Sequence, residues 1–249
     1  MVTAIIVVAT VSVLFAYSGM TRPLTVVESK SMQHSDDTSY VGVIDTGDMV
    51  VMVSPDKASI TTYVEGEQNG YSKFGTSGDV MIYYRQGKNP VIHRAILWLD
   101  YDDATGRWSS QSLKDYPSDR WMNAGTWDDL TGILTLYGLP GNNGTSIDVS
   151  VDLDTLAHHS GYLTKGDNNN YFDQNTIHLG LVEKNELKAV AGIEIPWIGC
   201  IKLLINHKNV SMIPENSVPC LFLTILDIFM FLMMVSTVME CLNSMRRTG

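Results

Sequence analysis

A serine, a histidine and two aspartates stand out as residues that could perform nucleophilic chemistry. Ser31 lies in VVESKSMQHSDD (26–37), His93 in VIHRAI (91–96), and Asp167 and Asp173 in GYLTKGDNNNYFDQ (161–174). A serine hydroxyl is a weak nucleophile unless a base takes its proton. A histidine is such a base near neutral pH, and a carboxylate on its far nitrogen fixes its tautomer. These are the parts of a Ser-His-Asp relay, although residue types alone do not establish one.

The segments around these residues have the patterns of short β-strands. In VIHRAILWLDY (91–101), strict alternation would place His93, Ala95, Leu97, Leu99 and Tyr101 on one face. On such a face His93 has a structural alternative, a hydrogen-bonded histidine in the core. Gly-Asp and Asn-rich turns separate the further predicted strands, which are MVVMV (49–53), DVMIYY (79–84), SIDVSVDL (146–153), GYLTK (161–165) and TIHLGLV (176–182).

Both ends of the chain are apolar. Residues 2–17 carry no charge, and with Ser18–Met20 they reach about twenty residues, enough to cross ~30 Å of hydrocarbon. No Lys or Arg precedes this run and no clear cleavage site follows it, which favours an uncleaved anchor over a signal peptide. A second run, Val218–Met239, is interrupted by Asp227, so an interfacial helix is the alternative to a spanning one. Arg246 and Arg247 predict a cytoplasmic C-terminus with residues 21–216 outside.

The composition excludes several classes of protein. Apolar residues make up 45% of the chain, which excludes a disordered chain. The net charge of −10 argues against nucleic-acid binding. The three cysteines, near or in apolar stretches, form no CxxC pair, and we interpret them as small buried hydrophobes.

The region between the predicted strands contains an acidic segment. From Asp100 to Asp154 there are ten aspartates, no glutamate and three basic residues, so it carries most of the net charge. It also contains Trp108, Trp121 and Trp127 between Gly, Pro and Asn turns. We interpret residues 100–156 as an inserted lobe, whose outside is either a solvated acidic surface or a partner-binding surface. We expect this lobe to be dispensable for bond cleavage itself.

Other candidate sites are weaker. The pair His158-His159 resembles a metal ligand set, but no third ligand has suitable spacing, so we expect no metal. We expect His178 at the surface, and two short glycosylation sequons begin at Asn143 and Asn209.

Several segments together resemble the conserved boxes of type I signal peptidases. VVESKSMQH followed by IDTGDMVVM resembles the serine box and the Gly-Asp box, and GDVMIYYRQGKNPVIHRAI resembles the next two, with histidine in place of the bacterial lysine. GYLTKGDNNNYFDQ resembles a box of the archaeal and endoplasmic-reticulum branch, and AVAGIEIPWIGCIKLLI its last box. They cover about residues 21–54, 77–99 and 160–205, in the family's order.

This resemblance implies roles for individual residues. Ser31 matches the nucleophile, His93 the general base and Asp173 the third member of the triad. Asp167 matches a supporting acidic residue, and the sequence alone does not strictly assign the third role between the two aspartates. Ser29 and the N–H of Ser31 match the donors of an oxyanion hole. The sequence departs from the family at His34, where many relatives have proline or another residue, and in the long segment 100–159.

The resemblance implies a mainly β fold, a coiled β-sheet catalytic domain with a transmembrane helix at each end. The expected parts are an N-terminal anchor (1–20), a catalytic β domain (21–99 and 157–205), the acidic lobe (100–156) and a C-terminal transmembrane helix (217–240). The implied activity is that of a membrane-bound serine endopeptidase that cleaves signal peptides from exported precursors and needs no metal or cofactor.

The implied location is the cell membrane or the endoplasmic-reticulum membrane, with the catalytic domain on the extracytoplasmic side. The implied partners are signal peptides, membrane lipid and protein-translocation components, and no nucleic acid. Self-cleaving repressor proteases share the bacterial version of the fold, but they use lysine and lack an anchor. The alternative from another class is a non-catalytic membrane-anchored β domain that binds a partner through the acidic lobe.

Overall fold

The computed structural model describes residues 2–84, 90–141, 144–176 and 180–248. Its four helices are α1 (Val2–Ser18), α2 (Tyr63–Asn69), α3 (Cys200–Ile205) and α4 (Ser217–Thr248). Its twelve strands are β1 (Leu24–Val26), β2 (Met49–Val53), β3 (Ser72–Lys73), β4 (Thr76–Ser77), β5 (Val80–Tyr83), β6 (Val91–Asp102), β7 (Arg107–Ser109), β8 (Trp121–Met122), β9 (Ile133–Pro140), β10 (Ser146–Asp152), β11 (Gly161–Lys165) and β12 (Leu187–Ile195).

The described strands form one large antiparallel sheet and two small ones. The large sheet has the order β1-β2-β12-β5-β6-β11, and β7 pairs with the far end of β6. The strands β10, β9 and β8 form a separate three-stranded sheet, and β3 and β4 form a hairpin. The expectation of a mainly β protein with helices at its ends is confirmed at this level.

Most of the predicted strands are present. MVVMV and GYLTK coincide with β2 and β11, the segments at 79–84 and 146–153 contain β5 and β10, and the segment at 91–101 is one residue shorter than β6. In TIHLGLV, residues 177–179 lie outside the described residues, which leaves the surface position predicted for His178 untested, and Val182 forms only an isolated bridge to Tyr162. The sequon residue Asn143 also lies outside the described residues.

The expectation that side chains alternate strictly between the two faces along the whole of β6 is wrong beyond Ala95. Leu97 pairs with Leu163 whereas Ala95 pairs with the next residue, Thr164, so Ile96 is an extra residue in β6. A bulge of this kind shifts the side chains that follow to the opposite face. Accordingly Ala95 packs with Met81 and Tyr83, whereas Leu97 belongs to another cluster.

The acidic lobe shares its core with the large sheet. One hydrophobic cluster joins Leu97 and Leu99 of β6 to buried residues of the lobe, which include Trp108, Leu134, Leu136, Val149 and Val151. Tyr101 and Trp108 face each other across β6 and β7, with ring centroids 4.7 Å apart. The lobe is therefore packed on the sheet, and Trp108 is a core residue rather than part of its surface.

Only one helix within the described residues is long and apolar enough to cross a membrane, the Ser217–Glu240 part of α4, and almost none of it is buried. The apolar stretch Ile5–Ser18 of α1 is shorter, so the N-terminal span stays a prediction. The C-terminal end of α1 is fixed to the sheet because the amide of Ser54 donates to the carbonyl of Ser18 over 2.8 Å.

Candidate active site

Ser31 is held in a tight 3-10 turn, Lys30–Met32, that follows β1 and is closed by the amide of Gln33 donating to Lys30 O. The neighbouring side chain of Met32 is fully buried and packs with Val27 and Ile44, which fixes the turn against the core. The N–H of Ser31 lies in the first turn, where amide groups have no acceptor within the helix.

Ser29 precedes this turn in an extended conformation, and its side chain does not cap it. Its Oγ lies 3.2 Å from the Oγ of Ser31. The structure thus brings the two serines singled out from the sequence into contact.

His93 lies on β6 opposite Met81 of β5 and is buried. Its Nδ1 is 2.6 Å from Oδ2 of Asp173, the first residue of a 3-10 turn, Asp173–Asn175. A carboxylate on Nδ1 leaves Nε2 as the nitrogen available for proton transfer. The pair predicted from sequence is therefore brought together, and of the two aspartates it is Asp173 that contacts the imidazole.

Two hydroxyl groups that the sequence analysis did not single out contact the same carboxylate oxygen. Tyr83 of β5 donates to Asp173 Oδ2 over 2.6 Å, and Thr164 of β11 donates over 2.8 Å. Together with His93, they hold this oxygen opposite the imidazole. Tyrosine and threonine are common strand residues, so their sequence positions carried no signal of this role.

Asp167 contacts a different residue of β6. Its two oxygens accept hydrogen bonds from Nε and Nη2 of Arg94 over 2.8 and 2.6 Å, and both side chains are buried. Burial alone would raise the pKa of Asp167, but the charge and hydrogen bonds of Arg94 outweigh it and hold the pKa below its usual value. This geometry matches the supporting role that the resemblance implies for Asp167.

The loop 166–169 contacts both the serine turn and the histidine. Asn168 donates its amide to Ser31 O over 2.9 Å and its side-chain Nδ2 to Lys30 O over 2.8 Å. A Cβ at Gly166 would lie 2.3 Å from Ser31 O and 3.0 Å from His93 Nε2. Only glycine fits there, because a Cβ at this position would clash with the backbone carbonyl of Ser31 and crowd the imidazole of His93.

Ser31 and His93 line one groove of about 820 Å³. Residues 25–28 also line it, as do Val91 and Ile92, the two residues before His93 on β6. In the described part of the chain, Ser31 Oγ is hydrogen-bonded to Ser29 and not to His93. Catalytic hydrogen bonds in free enzymes are often long and tighten only when substrate binds.

A cluster of charged residues lines part of the groove. Lys202 and Lys208 each lie 2.8 Å from an oxygen of Glu28, and the hydrogen bonds of the two lysines lower the pKa of Glu28. Of the described strands, only β2 pairs with β1, so the other edge of β1 is open beside the groove. An extended peptide can add to such an edge.

Comparison with known proteins adds nothing to the site geometry described above. No protein-family model matches the chain, and no curated protein matches its sequence significantly. The membership in the signal peptidase family that the boxes imply therefore stays a prediction, which rests on the residues themselves and on their arrangement.

The other sequence candidates do not converge on this groove. No group of three or more His, Cys, Asp or Glu residues that could hold a metal occurs in the described ranges. His158 stacks on Tyr101, with ring centroids 4.6 Å apart, whereas Nδ1 of His159 lies 3.2 Å from Ser160 O. Cys200 is buried, and burial raises the pKa of its thiol to about 12, so the thiol stays protonated.

Proposed function

We propose that this protein is a membrane-anchored serine endopeptidase that removes N-terminal signal peptides from exported precursor proteins. One observation carries the proposal: Asp173 Oδ2 lies 2.6 Å from Nδ1 of His93, and His93 lines the same groove as Ser31. The order of the sequence boxes that resemble signal peptidases supports the choice of substrate.

The chemistry follows from the roles of the three side chains. His93 Nε2 takes the hydroxyl proton of Ser31 as its Oγ attacks the scissile carbonyl, and Asp173 stabilises the imidazolium that forms. The N–H of Ser31 and the hydroxyl of Ser29 donate to the oxyanion, and one such donor typically contributes ~3 kcal/mol. His93 then gives its proton to the leaving amine, and water releases the acyl group from Ser31.

The groove fits an extended substrate close to a membrane. A peptide that adds to the open edge of β1 would pass Ser31, and the resemblance implies small residues at the first and third positions before the cut. The end of α1 is bonded to β2 because Ser18 Oγ donates to the carbonyl of Met52, and β2 pairs with β1, the strand that precedes the serine turn. The hydrophobic part of a signal peptide stays in lipid, and its cleavage site emerges near that depth.

The proposed location and partners are those that the resemblance to type I signal peptidases implies. The membrane is the cell membrane or that of the endoplasmic reticulum, with the catalytic domain on the extracytoplasmic side. Membrane lipid and protein-translocation components would contact the enzyme, and a precursor would reach it during or after export.

The test is cleavage of a signal-bearing precursor by the purified protein in lipid vesicles. Ser31→Ala, His93→Ala and Asp173→Ala should each lower the rate by on the order of 10³-fold or more, and two changes together should cost little more than one. Ser72→Ala, an exposed serine outside the groove, is the matched control and should cleave normally. Normal turnover by His93→Ala would exclude the mechanism. No cleavage by the wild type would favour the non-catalytic partner-binding protein instead.

A further inference from the structure

Lys165, the last residue of β11, is a lysine that is completely buried. Lysine is almost never fully buried without a partner, because its charge loses its hydration. In the described part of the chain its ammonium group forms no ion pair with a carboxylate. Three backbone carbonyls surround it instead, those of Pro140, Gly166 and Asp167.

These three carbonyls come from two different parts of the molecule. Pro140 ends β9 in the acidic lobe, whereas Gly166 and Asp167 belong to the loop that lies between Ser31 and His93. Lys165 Nζ is 2.9 Å from Gly166 O and 3.3 Å from Asp167 O. An ammonium group has three N–H donors, so each carbonyl can receive one.

The loop that Lys165 contacts controls the geometry of the groove. Gly166 allows the close approach of Ser31 and His93, and Asn168 donates to Ser31 O over 2.9 Å. A shift of this loop would move the serine turn relative to the histidine. A displacement of 1 Å in an active site can cost about 100-fold in rate.

We propose that Lys165 is a positioning residue through which the acidic lobe holds the loop 166–169 in its catalytic position. The inference rests on the proposed protease function and assigns a part in it to the lobe. Lys165 does not line the groove. It acts through the carbonyls of Gly166 and Asp167, and the lobe contributes the carbonyl of Pro140.

The titration of Lys165 predicts that the mobility of the loop depends on pH. Burial lowers the pKa of Lys165 to about 8, an effect to which Arg94 adds and which Asp167 and Asp173 oppose. A neutral amine has two N–H donors instead of three, so one of the three carbonyls loses its bond. The loop should therefore loosen partly, and not completely, as pH rises through this value.

The first experiment measures amide hydrogen exchange and does not depend on protease activity. In Lys165→Met, the amides of Asn168 and Asn169 should exchange about tenfold faster, because they are bonded to Ser31 O and Gly166 O across the loosened loop. Amides of β5 should be unchanged. Lys114→Met, an exposed lysine of the lobe, is the matched control. Unchanged exchange at Asn168 and Asn169 in a folded Lys165→Met protein would overturn the proposal.

The wild type provides a second measurement, which stands even if the variant does not fold. Protection factors of Asn168 and Asn169, corrected for the intrinsic effect of pH, should fall between pH 7 and pH 9 while those of β5 stay constant. Constant protection of the loop over this range would contradict the inference.

Activity gives the third readout. The wild-type kcat should fall to a lower plateau above pH 8 with little change in KM, and this step should be absent from Lys165→Met, whose kcat is already low. A step that persists in Lys165→Met would overturn the proposal. If the wild type cleaves no precursor at all, the proposed function fails, and the exchange experiments still decide the role of Lys165.

Discussion

Asp167 and Asp173 belong to one short segment, yet each contacts a different residue of β6. Asp173 accepts a hydrogen bond from His93, and Asp167 forms a two-point ion pair with buried Arg94. In the proposed mechanism the first contact orients the base, whereas the second neutralises a buried charge. Substitution of the two aspartates should therefore change different properties of the protein.

Asp173→Asn should lower kcat by on the order of 10³- to 10⁴-fold with little loss of stability, because the amide favours the wrong imidazole tautomer. Asp167→Asn should instead destabilise the fold by ~3–5 kcal/mol, because it leaves Arg94 buried without its counter-charge. Thermal unfolding, and cleavage rates per folded molecule, separate the two effects. If Asp167→Asn had the lower rate per folded molecule, the two assignments should be exchanged.

Tyr83 is expected to contribute to catalysis through Asp173. Tyr83→Phe removes one donor from Oδ2 and leaves His93 and Thr164 in place, so kcat should fall by about tenfold, the equivalent of ~1.4 kcal/mol. KM should change little, because Tyr83 does not line the groove. Tyr84→Phe, at the exposed neighbouring position, is the control and should cleave at the wild-type rate. Equal rates for the two variants would exclude a positioning role for Tyr83.

At the scale of the secondary-structure elements, the sequence predicts some strands better than others. β2 and β11 are short apolar runs bounded by turn residues, so local pattern was enough to locate them. The bulge at Ile96 arises from the pairing of β6 with β11, which local pattern does not contain. It explains why Ala95 and Leu97 belong to different clusters although alternation placed them on one face.

The candidate site was predictable in part for a similar reason. Ser31, His93 and Asp173 lie in segments that resemble family boxes, and the structure brings Ser31 and His93 to one groove and Asp173 into contact with His93. The contact of Tyr83 with Asp173 and the burial of Lys165 depend on tertiary packing. Lysine is usually exposed, so nothing in GYLTK distinguishes a buried one.

The acidic lobe should be required for folding, contrary to the expectation from sequence that it is dispensable. Replacement of residues 103–156 by a short linker would expose Leu97 and Leu99, so circular dichroism should show an unfolded domain. Trp108→Ala should cost ~3–5 kcal/mol, which lowers the melting temperature by roughly 6–20 °C in a chain of this size. Met122→Ala changes an exposed residue of the same lobe and should melt like the wild type. A folded, active deletion variant would show that the large sheet folds without the lobe.

At the scale of the whole molecule, the stability should depend on pH through Asp48. Burial raises the pKa of Asp48 to about 7, and the charges of Asp45 and Glu194 add to this effect. Between about pH 4 and pH 7 the folded protein therefore binds a proton that the unfolded chain lacks, so the free energy of unfolding falls as pH rises.

Urea unfolding at pH 5, 6 and 7 measures this effect. The wild type should lose up to ~1.4 kcal/mol per pH unit relative to Asp48→Asn, which has no such proton to bind. The comparison removes contributions from histidines, because they are common to both proteins. Parallel pH profiles for the two proteins would show that Asp48 is ionised throughout this range.

The two terminal helices predict the topology of the protein in a membrane. With both helices spanning and Arg246 and Arg247 inside, a C-terminal tag should be protected from protease added to sealed vesicles, whereas residues 100–154 should be cut. Detergent should expose the tag, which controls for resistance of the tag itself. Digestion of the tag in intact vesicles would mean that α4 lies on the membrane instead of crossing it.

The hydrogen bond from Asn168 to Lys30 spans 138 residues of the chain, and it has a consequence for the order of events during synthesis. Ribosomes add about 5–20 residues per second, so the serine turn waits roughly 7–28 s for the loop that completes the groove. Throughout this interval the nascent chain carries Ser31 without Asp173. The groove is therefore completed late, and a growing chain that has made only its first helix and the serine turn does not yet contain it.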